Sequence, residues 1–363
     1  MATRPSITVT FRQLAASLIA RSERGIAILI LRDATDDPGL TRYKTVAEAV
    51  ADSAAWTDAS LQAIRDVFDA SPYEVDVVRI GTAGTFADAA AIIAANIPTG
   101  WITVADPSST DTSDIVSWIV SGEQSGATYK AVVYNASAPD CKHIVNFATT
   151  GVTFADGRTL ASGATGAVWL PSLLGILAAA NVTGSVTNKT CRNLSDCVVT
   201  ADEAAAVEAG KLILTRIGGA VRIVCGCTSL TTTNGTTATE DMEYIETVEA
   251  MDMIADDIRA EFRNHYQGAY RNSYDNQMLF VGAVTGYLGD LETENILDPD
   301  YDNAAAIDVD AQRAAWIASG KSEAAGWSDA QVRHTPYKRT VFVVLTIKIL
   351  GTMESLRVVV EMF

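Results

Sequence analysis

The chain has 363 residues, of which 48% are hydrophobic and 20% are charged, a composition typical of a globular protein rather than a disordered one or a coiled coil. Its formal net charge of −17 disfavours nucleic acid as a partner, because phosphate binding needs a basic footprint. The sequence has no apolar run of about 18 residues and starts with an alternating segment, so we expect neither membrane insertion nor a signal peptide.

The first 31 residues predict two strands around a helical patch. Ile7, Val9 and Phe11 share one face of an alternating segment, which predicts a short strand over residues 6–11. Residues 12–19 form the helical patch. Residues 25–31 are apolar throughout, which predicts a strand buried on both faces.

Residues 45–147 alternate between helical and extended patterns. The predicted helices cover residues 46–54, 60–68, 86–96 and 113–120, and the predicted strands cover residues 75–80, 101–105 and 130–134. This alternation predicts a largely parallel sheet covered by helices on both faces. Residues 152–161 then predict a hairpin around the turn Asp156-Gly157.

A second region begins near residue 200. We predict a helix over 202–209 with Thr200 as its N-cap, two short strands over 211–215 and 221–225, and a Thr-rich loop over 229–239. Two long helices are predicted next, over residues 251–267 and 273–291, and two alternatives are open for residues 242–250, an extension of the first helix or a strand. The apolar stripe of the second helix consists of Val281, Val284, Leu288 and Leu291.

The last 23 residues contain two apolar alternating runs separated by a break at residues 350–355. Period-two patterns rich in β-branched residues predict strands over 341–349 and 356–363. The apolar positions are Val341, Val343, Leu345, Ile347 and Ile349 in the first run, and Leu356, Val358, Val360 and Met362 in the second. Strands this apolar are expected to pair within their own sheet or with a neighbouring molecule.

Several segments imitate chemical sites without completing a known pattern. Residues 81–84 lie at a predicted strand–helix junction but have neither the full dinucleotide-binding pattern nor the P-loop lysine. Residues 298–302 begin like a calcium loop, but Asn303 and Val309 stand where the turn glycine and the bidentate glutamate belong. We therefore expect a solvated acidic loop at residues 298–302 and no nucleotide site at residues 81–84.

The cysteines and histidines predict no metal centre. The spacings of Cys191, Cys197, Cys225 and Cys227 do not match zinc-binding pairs, and reduced thiols in a cytosolic setting are the simplest interpretation of the five cysteines. A disulfide within one pair stays open. None of the three histidines lies in a recognisable nucleophile or metal motif. We expect no catalytic residue, no cofactor, no bound metal and no enzymatic activity.

Several stretches, taken in order, resemble the tail sheath proteins of contractile phage tails and phage-tail-like bacteriocins, in particular the short sheath type of Gram-positive phages and prophages. They include Asp-Asp-Ile-Arg at the end of residues 251–259, Asn-Ser-Tyr-Asp-Asn at 272–276, Ile-Asp-Val-Asp-Ala-Gln at 307–312 and Met-Glu at the end of 347–354. The chain departs from the family where Cys225 replaces an expected arginine, and where Gly351-Thr352 replaces Asp-Ala.

The resemblance implies a structural subunit. In this family, subunits stack as rings around a rigid inner tube, and the metastable extended sheath contracts to drive the tube through a cell envelope. The implied partners are further copies of the chain, the inner tail tube protein, and baseplate and tail terminator proteins. The implied location is a virion tail or a phage-tail-like particle assembled in the bacterial cytoplasm.

The resemblance also implies an α/β (mixed α+β) architecture with an outer α/β domain over residues 25–200 and an inner C-terminal α+β domain over 201–340. Residues 1–24 would form a linking strand and arm, and residues 341–363 the C-terminal linking strands. Strands from different subunits would join one sheet through the apolar positions named above at both ends. Arg259, Arg263 and Arg271 are candidates to face acidic groups on the tube.

Two other interpretations remain open at this point. One is a cytosolic α/β enzyme that binds a nucleotide or a small acid. The other is a different self-assembling protein, such as a shell or surface-layer subunit.

Overall fold

The computed structural model describes residues 19, 24–180, 182, 184–359 and 362. The described residues divide into two compact units. The first, here called the sheet unit, lies within Ser22–Met253 and Gly351–Phe363; the second, the helical unit, lies within Met1–Arg21 and Ile254–Leu350. The assignment of an outer and an inner domain stays a prediction, because those terms refer to an assembled particle.

The sheet unit begins with alternating strands and helices, in the predicted order. Its elements are β1 (Ile26–Arg32), β2 (Gly39–Tyr43), α1 (Val46–Ala51), α2 (Asp58–Phe68), β3 (Glu74–Ile80), α3 (Phe86–Asn96), β4 (Trp101–Val104), α4 (Ser109–Gln124), β5 (Lys130–Tyr134), β6 (Ile144–Phe147), β7 (Val152–Phe154), α5 (Leu170–Ala178), β8 (Leu194–Cys197), α6 (Glu203–Glu208), β9 (Lys211–Leu212), β10 (Leu214–Ile217) and β11 (Ala220–Ile223). The next helix, α7 (Ile245–Glu261), contains the boundary between the two units.

A seven-stranded sheet organises this unit, in the order β2-β3-β1-β4-β5-β6-β9. β2 runs antiparallel to β3, and the other neighbouring strands are parallel. Ala27 of β1 lies opposite Val75 of β3 and Trp101 of β4. The predicted, largely parallel sheet is thus confirmed.

The sheet is covered on both faces, which explains the continuous apolar sequence of β1. Leu29 belongs to one buried cluster together with residues of α2 and α5. Ile28 and Ile30 belong to a second cluster together with residues of α3 and α4. Because successive side chains of a strand point to opposite faces, β1 contributes to both cores.

Two local predictions are wrong, and one helix was missed. The hairpin over 152–161 does not form, since β7 pairs instead with β8, forty residues further along the chain. The N-cap of α6 is Asp202 rather than Thr200, and its side chain accepts the Ala205 N–H at 3.0 Å. Helix α5 was not predicted, because every residue in it is buried and no polar face marks its period.

The helical unit contains the second predicted long helix and the part of α7 from Ile254 onwards. Its further elements are α8 (Tyr274–Thr293), β12 (Ala304–Ile307), α9 (Val309–Ala318), α10 (Asp329–Arg333) and β13 (Val343–Thr346). The helix predicted over residues 251–267 starts earlier, at Ile245, and its last turn, Phe262–Tyr266, is a π-helix. The four predicted stripe residues of α8 are all buried.

Among the described residues, no helix is both long and apolar enough to cross a membrane.

Candidate assembly surfaces

The first predicted C-terminal strand lies in the helical unit as β13. It pairs antiparallel with β12, and Val343 lies opposite Ile307. An isolated bridge between Ile349 and Leu297 continues the pairing further along the chain. The predicted alternation is present, since Val341, Val343, Leu345, Ile347 and Ile349 are half-buried while the even-numbered positions from Val344 to Leu350 are exposed.

The backbone of β13 has an open edge. Phe342 and Lys348 offer their carbonyl groups to Asp308 and Asp298 on the β12 side. Because backbone groups of an antiparallel strand alternate between its two edges, the N–H groups of Val343 and Leu345 point the other way. In the described part of the chain no strand lies on that edge, and the sheet has two strands.

A buried asparagine in the acidic loop fixes the end of this segment. The Asn303 side chain accepts the Lys348 N–H at 2.9 Å and donates to a Glu292 carboxylate oxygen at 2.8 Å. The Lys348 ammonium lies 2.8 Å from Asp298. The acidic loop therefore supports the C-terminal strand.

The segment after residue 350 has no regular secondary structure within residues 351–359. It returns to the sheet unit, where the Thr352 N–H and hydroxyl both donate to Glu246, at 3.1 and 2.7 Å. Glu354 accepts a hydrogen bond from the Ser185 hydroxyl at 2.8 Å. Gly351-Thr352, a departure from the family pattern, is thus a docking point for the chain.

Beyond this docking point, the apolar side chains are exposed. Leu356 is 88% exposed, Val358 is 65% exposed and Met362 is 90% exposed. Exposed apolar positions that alternate in sequence are suited to pairing with another strand. Val360, together with the N-terminal residues Ile7, Val9 and Phe11, lies outside the described residues, so the linking role of all these positions stays a prediction.

The three candidate arginines lie on the surface of the helical unit. Arg259 is half-exposed and forms an ion pair of 3.4 Å with Asp256, one helical turn earlier. Arg263 is exposed in the π-helical turn, and Arg271 is exposed just before α8. All three are accessible to a partner, and contact with a tube stays a prediction.

A buried ionic cluster inside the sheet unit was not predicted. Lys130 of β5 has 2% side-chain exposure and lies 3.0 Å from Asp252 and 3.3 Å from Glu249, both on α7. Glu249 also accepts the Trp101 indole N–H at 2.6 Å. Burial opposes ionisation of Asp252, but Lys130 and His143 beside it lower its pKa to about 2.

The C-terminal part of the chain matches a known family. Residues 237–363 match the family model described as the phage tail sheath C-terminal domain. This segment is therefore similar to the C-terminal domains of phage tail sheath proteins. It contains β12, β13, the three candidate arginines and the docking residues Thr352 and Glu354.

The similarity to sheath proteins extends beyond that domain. The chain is 25% identical to a tail sheath protein of Clostridium phage phiCD119, over 98% of this chain and 99% of the relative. The predicted resemblance to tail sheath proteins is confirmed.

Solved sheath structures share the fold. The helical sheath of the anti-feeding prophage in its contracted state matches with a TM-score of 0.71, at 11% identity and 99% coverage of both chains. A sheath tail protein from Desulfitobacterium hafniense matches with a TM-score of 0.69, at 14% identity, over 84% of this chain and 94% of that one. The predicted mixed α/β class is confirmed.

Proposed function

We propose that the chain is the structural subunit of a contractile tail sheath. Such a sheath polymerises around an inner tail tube and contracts from a metastable extended state to drive the tube through a target cell envelope. The observation that carries this proposal is the similarity to a phage tail sheath protein across 98% of the chain. The tail sheath C-terminal domain supports it independently.

The open edge of β13 is our candidate for the joint between subunits. An incoming strand would pair with the outward backbone groups of the odd-numbered positions from 341 to 349. About five hydrogen bonds, each worth roughly 1 kcal/mol net, would give such a joint a few kcal/mol in addition to apolar burial. A joint of that strength between two subunits can persist while the rigid domains of the subunits move.

The incoming strands would come from other copies of the chain. The exposed residues Leu356, Val358 and Met362 support donation of a C-terminal strand, because their apolar side chains lack a covering surface in the single chain. Residues 6–11 would supply the N-terminal strand of the same sheet. A sheet completed in this way removes an open edge that would otherwise promote aggregation.

Contraction then requires no nucleotide, because the free energy is stored in the extended assembly. A small free-energy difference per subunit is sufficient when many subunits change together. The net charge of −17 would oppose premature association of free subunits. Tube, baseplate and terminator proteins would be the other partners, in a particle assembled in the bacterial cytoplasm.

Negative-stain electron microscopy of the purified full-length chain tests the proposal. We expect hollow cylinders with helical striations. Flat arrays would contradict the proposal and support a surface-layer or shell subunit. Absence of polymers, combined with a thermal stabilisation by nucleotides, would contradict it in favour of an α/β enzyme.

A further inference from the structure

A second polar cluster in the sheet unit brings together three side chains that commonly bind metals. Glu123 lies in the last turn of α4, Cys141 in the connection between β5 and β6, and His143 immediately before β6. One ligand atom from each lies within 4.8 Å of the others. The cluster plays no part in the proposed sheath assembly.

His143 is held in a defined orientation. Its Nε2 lies 3.1 Å from a carboxylate oxygen of Asp252, which is itself bound to Lys130. Its Nδ1 is buried and faces Glu123 Oε2 at 3.2 Å, and it has no other polar partner among the described residues. When Nε2 carries the proton that faces Asp252, an unprotonated Nδ1 and Glu123 Oε2 are two electron-rich atoms facing each other, so either a proton on Nδ1 or a cation must lie between them.

Cys141 supplies the third possible ligand atom, at a spacing that suits a metal ion. Its Sγ lies 3.3 Å from the same Glu123 oxygen. Tetrahedral zinc, with bonds of about 2.0–2.3 Å, separates its ligand atoms by about 3.3–3.7 Å. Without a metal, a proton on Nδ1 and the proton of the thiol satisfy the two contacts with Glu123 Oε2, and a single cation would replace both protons.

We propose that Glu123 Oε2, Cys141 Sγ and His143 Nδ1 bind a divalent cation of the Zn²⁺ class. A neighbouring pocket of about 320 Å³, also lined by Leu230 and Thr237, gives access for a water molecule as the fourth ligand. The contact between His143 and Asp252 has the carboxylate–histidine arrangement that supports metal-bound imidazole.

Binding is coupled to loss of protons. The Cys141 thiol would release its proton to solvent and bind as the thiolate, while His143 would bind as the neutral imidazole. The bound ion would connect α4 and the β5–β6 connection, and through Asp252 also the start of α7.

One neighbouring group opposes the cation. The Lys142 ammonium binds the other Glu123 oxygen, Oε1, and leaves Oε2 available. The positive charge of Lys142 disfavours binding of the metal cation at the nearby cluster. Replacement of Lys142 by the uncharged methionine should therefore tighten metal binding several-fold.

Titration of the reduced, chelator-treated full-length chain with Co²⁺ tests the site. We expect one equivalent to bind, with a thiolate-to-cobalt charge-transfer band and intense tetrahedral d–d bands, and Zn²⁺ to displace it. Cys141→Ser should abolish the charge-transfer band, and His143→Gln should weaken binding at least tenfold. Cys191→Ser is the matched control, because Cys191 is also buried but lies outside the cluster; it should bind normally.

Three results would overturn the proposal. Wild-type protein without a charge-transfer band in excess Co²⁺ would mean that a proton alone occupies the cluster. A band that survives in Cys141→Ser but is lost in Cys225→Ser would assign the metal to other thiols. If Cys141→Ser does not fold, Lys142→Met decides, and unchanged or weaker metal affinity in that variant contradicts the site.

Discussion

Lys130 and Asp252 are 122 positions apart in the sequence and form an ion pair of 3.0 Å inside the sheet unit. Lys130 projects from β5 of the seven-stranded sheet, and Asp252 projects from α7. Glu249 and His143 lie beside this pair, and Arg24 contacts Glu249 at 3.2 Å. A buried charge that loses its partner is costly, so this cluster makes the packing of α7 on the sheet sensitive to single substitutions.

Lys130→Met should destabilise the sheet unit by about 3–5 kcal/mol, because it leaves Asp252 and Glu249 buried without their lysine. Lys44→Met, which removes an exposed lysine 3.9 Å from Glu74, should cost less than about 1 kcal/mol. Urea unfolding of both variants measures the difference. Equal losses of stability would contradict the importance assigned to the buried cluster.

Helix α5 should tolerate no side chain at Gly175. A Cβ atom there would lie 2.0 Å from the carbonyl oxygen of Val67, which belongs to α2. Gly175→Ala should therefore destabilise the sheet unit by about 2 kcal/mol or more. At Gly122 in α4 the nearest atom to a new Cβ is 3.6 Å away, so Gly122→Ala should be neutral or stabilising. Thermal unfolding that ranks the two variants the other way would contradict the packing.

Asp76 should make stability depend on pH. Burial, reinforced by the negative charge of Glu74, raises the pKa of Asp76 to about 6, and half-exposed Arg42 offsets this weakly. The folded state holds the proton more tightly than the unfolded state, so the contribution to stability is complete below about pH 4 and is lost as the pH rises through 6.

Comparison with Asp76→Asn isolates this contribution. Wild-type protein should lose on the order of 2 kcal/mol relative to the variant when the pH rises from 4 to 7. Chemical unfolding at the two pH values measures the difference. If the stability difference between wild type and Asp76→Asn is the same at pH 4 and pH 7, or favours wild type more at pH 7, the raised pKa of Asp76 is ruled out.

Local patterns predicted much of the fold, because several elements carry their signal in their own sequence. The bounds predicted for α3 and β5 match the structure at both ends. The apolar run of β1 correctly indicated burial on both faces. Where a partner is distant in sequence, prediction fails: β7 pairs with β8, and no local pattern at Asp156-Gly157 reveals that.

The same limit applies to the candidate sites. The alternation over residues 341–349 predicted the half-buried face of β13, but the open edge depends on which strand lies beside it. Cys141 and His143 are two positions apart, and nothing in that spacing indicates Glu123 or Asp252, which come from two different helices. Only the folded chain brings those groups together.

The open edge of β13 can be tested with proline at two neighbouring positions. Proline lacks the backbone N–H and is tolerated where that group faces away from the sheet. Leu345→Pro should leave the helical unit folded but abolish assembly, since the Leu345 N–H points to the open edge. Val344→Pro should instead destabilise the β12–β13 pair.

Circular dichroism and sedimentation measure folding and assembly of both proline variants. Polymers formed by Leu345→Pro at the wild-type yield would contradict the use of this edge. A folded, normally stable Val344→Pro variant would contradict the register of β12 and β13.

The most direct test of the central claim is negative-stain microscopy of two truncated chains beside the full-length chain, one lacking residues 1–11 and the other lacking residues 356–363. The full chain should form striated hollow cylinders. Each truncated chain should remain folded and soluble, as judged by circular dichroism, and form no cylinders. Normal cylinders from either truncated chain would contradict assembly through linking strands.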